Sequence, residues 1–191
     1  MKILKRIKGV ILNPDAEWIA IAAENKSVAA LYRDYIAILA LIPPFAGFLG
    51  GRLFGFGHAG HLSELSLTAG LLRAALQYAL SLPLIFVVAF VLSSIAPHFD
   101  GESSDRRALA LVAYSLTPAW LAELFSFVPG LRWLDVLGFY GVYIFYHGLP
   151  RMLKCPKETA DMLTLAALVL SIAAGALHAF LVGHAAPWRQ L

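Results

Sequence analysis

Polar side chains that could do chemistry occur inside the apolar stretches of this chain. Each can donate or accept a hydrogen bond, and a polar group in a lipid-embedded helix usually faces a cavity or another helix. Together they could line a polar cavity that binds or passes a solute. The candidate polar cavity residues are Gln77, Ser81, Tyr114, Ser115, Thr117, Glu123 and Tyr143.

Glu123 is the strongest single candidate in this set. Asp135 has Arg132 one helical turn away and can form an ordinary ion pair with it. Glu123 has no basic residue three or four positions away. We expect Glu123 near the same end of the molecule as Arg52 and Arg73, either in a functional role or in a hydrogen bond to another helix.

Three potential metal ligands lie close together between the first two apolar stretches. His58, His61 and Glu64 follow an H-x2-H-x2-E spacing, whereas helical zinc sites place their histidines four positions apart. His178 and His184 could complete a ligand set. The spacing is weak evidence, so we expect a polar, solvated loop and no metal.

No recognisable catalytic arrangement accompanies these side chains. The sequence has no nucleophile elbow with histidine and aspartate partners, no phosphate-binding glycine loop after a strand, and no paired aspartates within the apolar stretches. The single cysteine, Cys155, excludes an internal disulfide and a cysteine-based metal cluster. We therefore predict a protein that is not an enzyme and has no cofactor.

Five apolar stretches must position these residues, because together they make up most of the chain of 191 residues. They cover residues 35–51, 71–96, 108–128, 133–150 and 162–183. A helix of about 20 apolar residues spans the hydrocarbon core of a bilayer. Only 14% of the residues are charged, whereas ordinary globular domains have about 25%. The prediction is an all-α membrane protein with five transmembrane helices.

An N-terminal arm, residues 1–34, precedes this transmembrane domain of residues 35–183. Apolar residues alternate at helical spacing with the basic residues of its first turns, which is typical of an amphipathic helix on a membrane surface. Asn13 and Pro14 can begin a second helix, as cap and first helical residue. Partner docking is the alternative role of the arm. The predicted membrane-interface anchor, whose tryptophan lies at the headgroup level, consists of Lys5, Arg6, Lys8 and Trp18.

The basic residues predict how the chain is oriented. With five spans, eleven of the fifteen share the side of the N-terminus; the others are Arg52, Arg73, Arg132 and Arg189. Because cytoplasmic loops carry the excess of lysine and arginine, we expect a cytoplasmic N-terminus and a short tail, residues 184–191, on the periplasmic or extracellular side. The net charge of +3 is then a topology signal and does not predict nucleic-acid binding.

Three of the predicted spans contain proline near the middle, at Pro43 and Pro44, at Pro83 and at Pro118. Proline lacks a backbone donor and clashes with the preceding turn, so we expect kinks that leave carbonyl oxygens without their helical partner. Pro118, for example, frees the carbonyl of Tyr114. Either neighbouring side chains satisfy these oxygens, or the broken helices surround a substrate site as in transporters.

Small residues recur at every fourth position of the fifth predicted span, at Ala167, Ser171, Gly175 and Ala179. Such a stripe lets another helix approach closely, either within one bundle or between protomers. We favour the contact within the bundle. The expected partners are the lipid bilayer and either other membrane proteins or a second copy of the chain in a homodimer.

Several motifs, in order along the chain, resemble the bacterial branch of the Yip1 domain family. An N-P-x3-W-x2-I-x2-E pattern begins at Asn13, ahead of the spans. An acidic turn at residues 100–105, a Y-S-x2-P sequence from Tyr114, and a Y-x2-Y-H-G-L-P sequence from Tyr143 follow. The resemblance covers nearly the whole chain. It implies a five-span protein of the bacterial inner membrane; the eukaryotic relatives associate with Rab GTPases and with one another.

Two functions remain open at this stage. The first is a non-catalytic integral membrane protein of Yip1 type, acting in membrane organisation or as a scaffold for membrane partners. The alternative is a small channel or transporter with a polar cavity between proline-kinked helices. A continuous polar cavity would favour transport, and a dry interior with paired carbonyls would favour the scaffold.

Overall fold

The computed structural model describes residues 2–54, 66–126, 128 and 130–184, and within these ranges it contains helices and connections but no strand. The helices are α1 (Lys2–Leu12), α2 (Pro14–Glu24), α3 (Val28–Leu31), α4 (Ala37–Leu39), α5 (Ile42–Phe54), α6 (Leu67–Ile95), α7 (Asp105–Ser115), α8 (Thr117–Ser126), α9 (Tyr140–Met152) and α10 (Lys157–His184). A π-helical turn, Tyr32–Ile36, joins α3 to α4, and 3₁₀ segments follow α6 at Ala96–Phe99 and precede α9 at Arg132–Phe139.

Among the described residues, four helical segments are long and apolar enough to cross a membrane. They are Val28–Leu53, Leu67–Phe99, Asp105–Phe125 and Lys157–His184. They contain the first, second and fifth predicted spans and all but the last three residues of the third. The fourth, residues 133–150, does not form one long helix. It is divided into the 3₁₀ segment Arg132–Phe139 and the shorter helix α9.

The segment Arg132–Met152 nevertheless runs antiparallel along α7 and α8. Close contacts at three glycines show this direction. As the residue numbers rise along the segment, the residue numbers of its contacts in α7 and α8 fall. A Cβ added at Gly138 would lie 3.2 Å from the Cα of Ala119, so the backbones touch there. The contacts pair Gly138 with Ala119, Gly141 with Ser115, and Gly148 with Leu111.

Proline breaks two of the three predicted helices. The helix is interrupted by a turn at Ala40 and Leu41, just before the Pro43–Pro44 pair, and again at Leu116, before Pro118. The hydroxyl of Thr117 donates to the freed carbonyl of Tyr114 at 2.6 Å, so a neighbouring side chain satisfies that kink. Helix α6 continues through Pro83.

Residues 2–24 of the predicted arm form the helices α1 and α2, whereas its last residues, from Val28, belong to the first candidate span. The side chain of Asn13 accepts from the backbone N–H of Ala16 at 3.4 Å and Pro14 begins α2, which confirms the predicted cap. Asn25, with a φ of 50°, ends α2 in the left-handed region. The side chain of Ser27 then caps α3 by accepting from Ala30 N–H at 3.2 Å.

The arm is part of the hydrophobic core. Val10 and Trp18 are each 1% exposed, and α2 packs along α9. The arm therefore contributes to the packed interior through its apolar side, while its lysines at positions 5 and 8 stay exposed.

Candidate functional site

A cleft lies between α5, α6, α8 and α10. Its main cavity has a volume of about 380 Å³, and a second cavity of about 280 Å³ adjoins it. We name this combined space the Arg73 cleft. The residues that line both cavities are Pro43, Pro44, Gln77, Glu123, Gly175 and His178.

Charged groups are concentrated in the larger of the two cavities. This cavity is lined by Arg52, Arg73 and Glu123. Two positive side chains and one negative side chain therefore face the same space. Arg73 is half-buried and has no ion pair in the part of the chain that the structure describes. The cleft is therefore positive in net charge.

Helix α10 is attached to the rest of the bundle at one edge of the cleft. The Nε2–H of His178 donates to the carbonyl of Gln77 at 2.9 Å, which links α10 to α6. The main packing of α10 is against α6, α9 and the 3₁₀ segment Ala96–Phe99. The side of α10 that faces α5 and α8 is left bordering the cleft.

The small-residue stripe of α10 lines this open space. Ala167 is buried, but Ser171, Gly175 and Ala179 border the cavities. A Cβ added at Gly175 would have no atom within 4 Å, and the same holds for Gly47 on α5. The close helix contact expected from the stripe is thus absent at Gly175, where a gap opens instead.

Three aromatic residues and a threonine form a cluster beside the cleft, toward the arm. We call Trp18, Tyr35, Tyr114 and Thr117 the aromatic cluster. The rings of Tyr35 and Tyr114 are 4.5 Å apart, and Trp18 meets Tyr114 edge-on at 6.1 Å. The hydroxyls of Tyr35 and Thr117 are hydrogen-bonded at 2.6 Å, and the indole N–H of Trp18 donates to the carbonyl of Ile144 at 3.0 Å. Every polar group in these contacts has a partner.

Ion pairs within the arm lie next to this cluster, and Arg6 links them to it. Arg6 contacts the carboxylates of Glu17 and Glu24 and lies 5.7 Å from the centre of the Tyr114 ring. The Nζ of Lys26 is 3.0 Å from Glu24. Burial alone would raise the pKa of Glu24, but the hydrogen bond from Lys26 and the charge of Arg6 outweigh it and lower that pKa. Desolvation opposes protonation of Lys26, yet its hydrogen bond to Glu24 raises its pKa.

The predicted polar cavity residues do not form one site. Three of them, Gln77, Ser81 and Glu123, line the Arg73 cleft. Tyr114 and Thr117 belong to the aromatic cluster. The two remaining residues lie elsewhere.

Ser115 borders a separate cavity of about 300 Å³, where its buried hydroxyl has no hydrogen-bond partner among the described residues. The walls of that cavity are mainly apolar, with Asp135, Thr164 and Ser171 as its other polar lining residues. Tyr143 is 47% exposed and stacks on Tyr140. Neither residue contributes to the Arg73 cleft.

The predicted interface anchor is also divided. Lys5 and Lys8 are exposed, as an anchor requires, but Arg6 turns toward the carboxylates of the arm. Trp18 is not exposed as a surface anchor would be, because its ring packs within the protein close to Gly148 and its N–H donates to the carbonyl of Ile144. Its depth at the headgroup level stays a prediction.

The weak metal candidates of the sequence include two histidines of α10, His178 and His184. Within the described residues no group of three metal-ligating side chains occurs; His58, His61 and Glu64 lie outside those residues. His178 instead holds α10 to α6. Its spacing from Gln77 in the sequence gives no signal of that contact.

The Yip1 domain model matches residues 8–178. The chain belongs to the Yip1 domain family. The Yip1 match begins inside α1 and therefore includes α2 and its Asn13 cap. It also includes α5, α6 and α8 around the Arg73 cleft, and α10 as far as His178.

Two relatives of this Yip1 domain chain share 28% identity with it over 180 residues, which are 88% of this chain and 92% of each relative. They are the inner membrane protein YohC of Escherichia coli strain K12 and its counterpart in Escherichia coli O6:H1. No solved structure matches the chain.

Proposed function

We propose that this Yip1 domain chain is a non-catalytic integral protein of the bacterial inner membrane that organises the membrane by holding protein partners. Its family and the name of its Escherichia coli relatives support the location. The four helices that are long and apolar enough to span a bilayer support the integral attachment.

We further propose that the chain crosses the membrane five times. The segment Arg132–Met152 lies antiparallel along α7 and α8, which together form a candidate span. A segment that follows a span from end to end traverses the same depth of lipid. The excess of basic residues then favours a cytoplasmic N-terminus and a tail on the other side.

The observation that carries the scaffold role is the aromatic cluster. Trp18, Tyr35 and Tyr114 are 1–3% exposed, and the polar atoms of Trp18 and Tyr35 are bonded within the protein. A channel needs a continuous polar path, whereas this packing closes the interior between the Arg73 cleft and the arm. The closed interior supports a protein that acts through its outer surfaces.

Helix α10 is the surface we propose for partners, because few of its residues are buried. Val169 and Ile172 are 59% and 62% exposed. A photo-crosslinking amino acid at either position should give the same discrete adduct in native membranes, either a self-pair or one defined protein. Phe90 on α6, which is 51% exposed, is the control and should give none. Equal adducts at all three positions, or none, would contradict the proposal.

A small carrier for anions is the second candidate, favoured by Glu123 and Arg73 in one cleft. It is tested by solute flux into proteoliposomes that hold the native protein or the Glu123→Gln variant. Flux above that of empty vesicles, altered by the substitution, would support the carrier. Background flux from both proteins would remove it for the solutes tested.

A further inference from the structure

The Arg73 cleft is charged at one end and apolar at the other. Arg73 lies six residues after Leu67, where α6 begins, and Arg52 lies two residues before Phe54, where α5 ends. With a rise of about 1.5 Å per residue, both Cα atoms lie within about 9 Å of a helix end, the depth at which lipid headgroups meet a spanning helix. The opposite end of the cleft is formed by Leu84, Val88 and Leu116.

The charged end favours an anion. Arg73 is half-buried and forms no ion pair with any described residue, although a desolvated guanidinium normally pairs with an anionic group. Arg52 and Glu123 face the same cavity, so its net formal charge is positive. A phosphate group is suited to this place because a guanidinium can donate two parallel hydrogen bonds to its oxygens.

The apolar end is accessible from between two spans. The gap between α5 and α10 is open at Gly47 and at Gly175, where an added side-chain carbon would meet no atom within 4 Å. Both helices belong to candidate spans, so the medium beside this gap is hydrocarbon. A flexible acyl chain can enter there without leaving an apolar environment.

We infer that the Arg73 cleft binds one anionic phospholipid. Its phosphate accepts hydrogen bonds from Arg73 and lies beside Arg52, and one acyl chain passes Gly175 toward Leu116. The cavities of about 380 Å³ and 280 Å³ are of the size found for small-molecule sites, roughly 300–1,000 Å³. The inference is independent of the scaffold role, because a lipid can occupy this cleft whether or not α10 binds a protein.

Native mass spectrometry of the purified chain tests the charged end. The protein is supplied with mixed micelles of phosphatidylglycerol and phosphatidylethanolamine in equal amounts, and the retained lipid is identified. We expect retention of phosphatidylglycerol in preference to the zwitterionic lipid. Arg73→Gln removes a charge-assisted contact and should weaken retention on the order of tenfold. The control Arg132→Gln loses the same charge at an exposed position outside the cleft and should retain lipid as the native chain does.

A second pair of variants tests the acyl path. Gly175→Leu fills the gap and should abolish lipid retention, while Ala176→Leu adds bulk at the neighbouring exposed position, which does not line the cleft. Gel filtration and thermal melting confirm that each variant is folded. Equal retention by the native chain and all four variants would overturn the inference, as would no retention by any of them. Release of the lipid by excess inorganic phosphate would overturn it in favour of a free anion.

Discussion

The aromatic cluster and the Arg73 cleft are neighbours that differ in how their polar groups are used. In the cluster, Trp18 and Thr117 donate to backbone carbonyls, and Arg6 contacts two carboxylates and an aromatic ring. In the cleft, Arg73 has no ion-pair partner among the described residues and the glycines face empty space. The comparison indicates that the cluster stabilises the fold and that the cleft remains free to bind.

Truncating the central tryptophan should have the largest effect. Trp18→Ala removes a buried ring and leaves the carbonyl of Ile144 without its donor, and loss of such a side chain costs about 3–5 kcal/mol of unfolding free energy. Ile19→Ala, at a position 56% exposed, is the matched control. Thermal unfolding in detergent should separate the two clearly. Equal melting temperatures would mean that the arm does not dock in this way.

Adding one methyl group to a glycine compares the packing of the two regions directly. In Gly148→Ala the new Cβ would lie 2.5 Å from Leu111 Cδ1 and 2.6 Å from Trp18 Cε2, and overpacking of this kind costs about 1–3 kcal/mol. Gly175→Ala meets no atom within 4 Å and should be neutral or slightly stabilising. The measurement is the change in melting temperature of each variant. Destabilisation by both substitutions would show that the cleft is as tightly packed as the cluster.

Neutralising the arginine of the arm should have a smaller effect than truncating Trp18. Arg6→Gln leaves Glu17 without its cation and Glu24 with Lys26 alone, which costs about 1–3 kcal/mol. Lys8→Gln removes an equal charge from an exposed position of α1 and should be close to neutral. Proteolysis of the arm in the folded protein reports its detachment. If the two variants are cleaved at the same rate, Arg6 does not hold the arm.

Features of this architecture that depend on neighbouring residues in the sequence could be predicted, and features that depend on packing between helices could not. The Asn13 cap, the proline breaks and four of the spans arise from residues within one or two turns, and each was predictable. The position of Trp18 was not, because a surface anchor and a docked arm share the same amphipathic pattern. The 3₁₀ start of the fourth predicted span had only Gly138 as a sign of close packing.

The cleft was only partly predictable, because contacts between helices set its shape. Gln77, Ser81 and Glu123 share it because α6 and α8 happen to face one gap, and the width of that gap is set by how α10 packs on α6 and α9. No spacing within a helix encodes this distance. Arg73 and His178 were therefore not predicted as residues of the polar cavity.

Acidification should have the smallest effect on stability of the changes proposed here, through protonation of Glu24 in the arm. The folded-state pKa of Glu24 is lowered. Its contribution to the free energy of unfolding is therefore complete above the ordinary carboxyl pKa, and it is lost as the pH falls through the lowered pKa. Because the side chain is 37% exposed, we expect less than about 1 kcal/mol. The melting temperature of Glu24→Gln should fall less steeply with acidification than that of the native chain. Parallel curves would contradict the ion pair.

A density map of the protein in a lipid nanodisc containing phosphatidylglycerol tests the central claim most directly. The account predicts a continuous Trp18, Tyr35 and Tyr114 cluster with no foreign density, and an elongated density in the Arg73 cleft whose head lies at Arg73. A cleft closed by direct contact of α5 with α10, with Gly47 and Gly175 packed together, would contradict it.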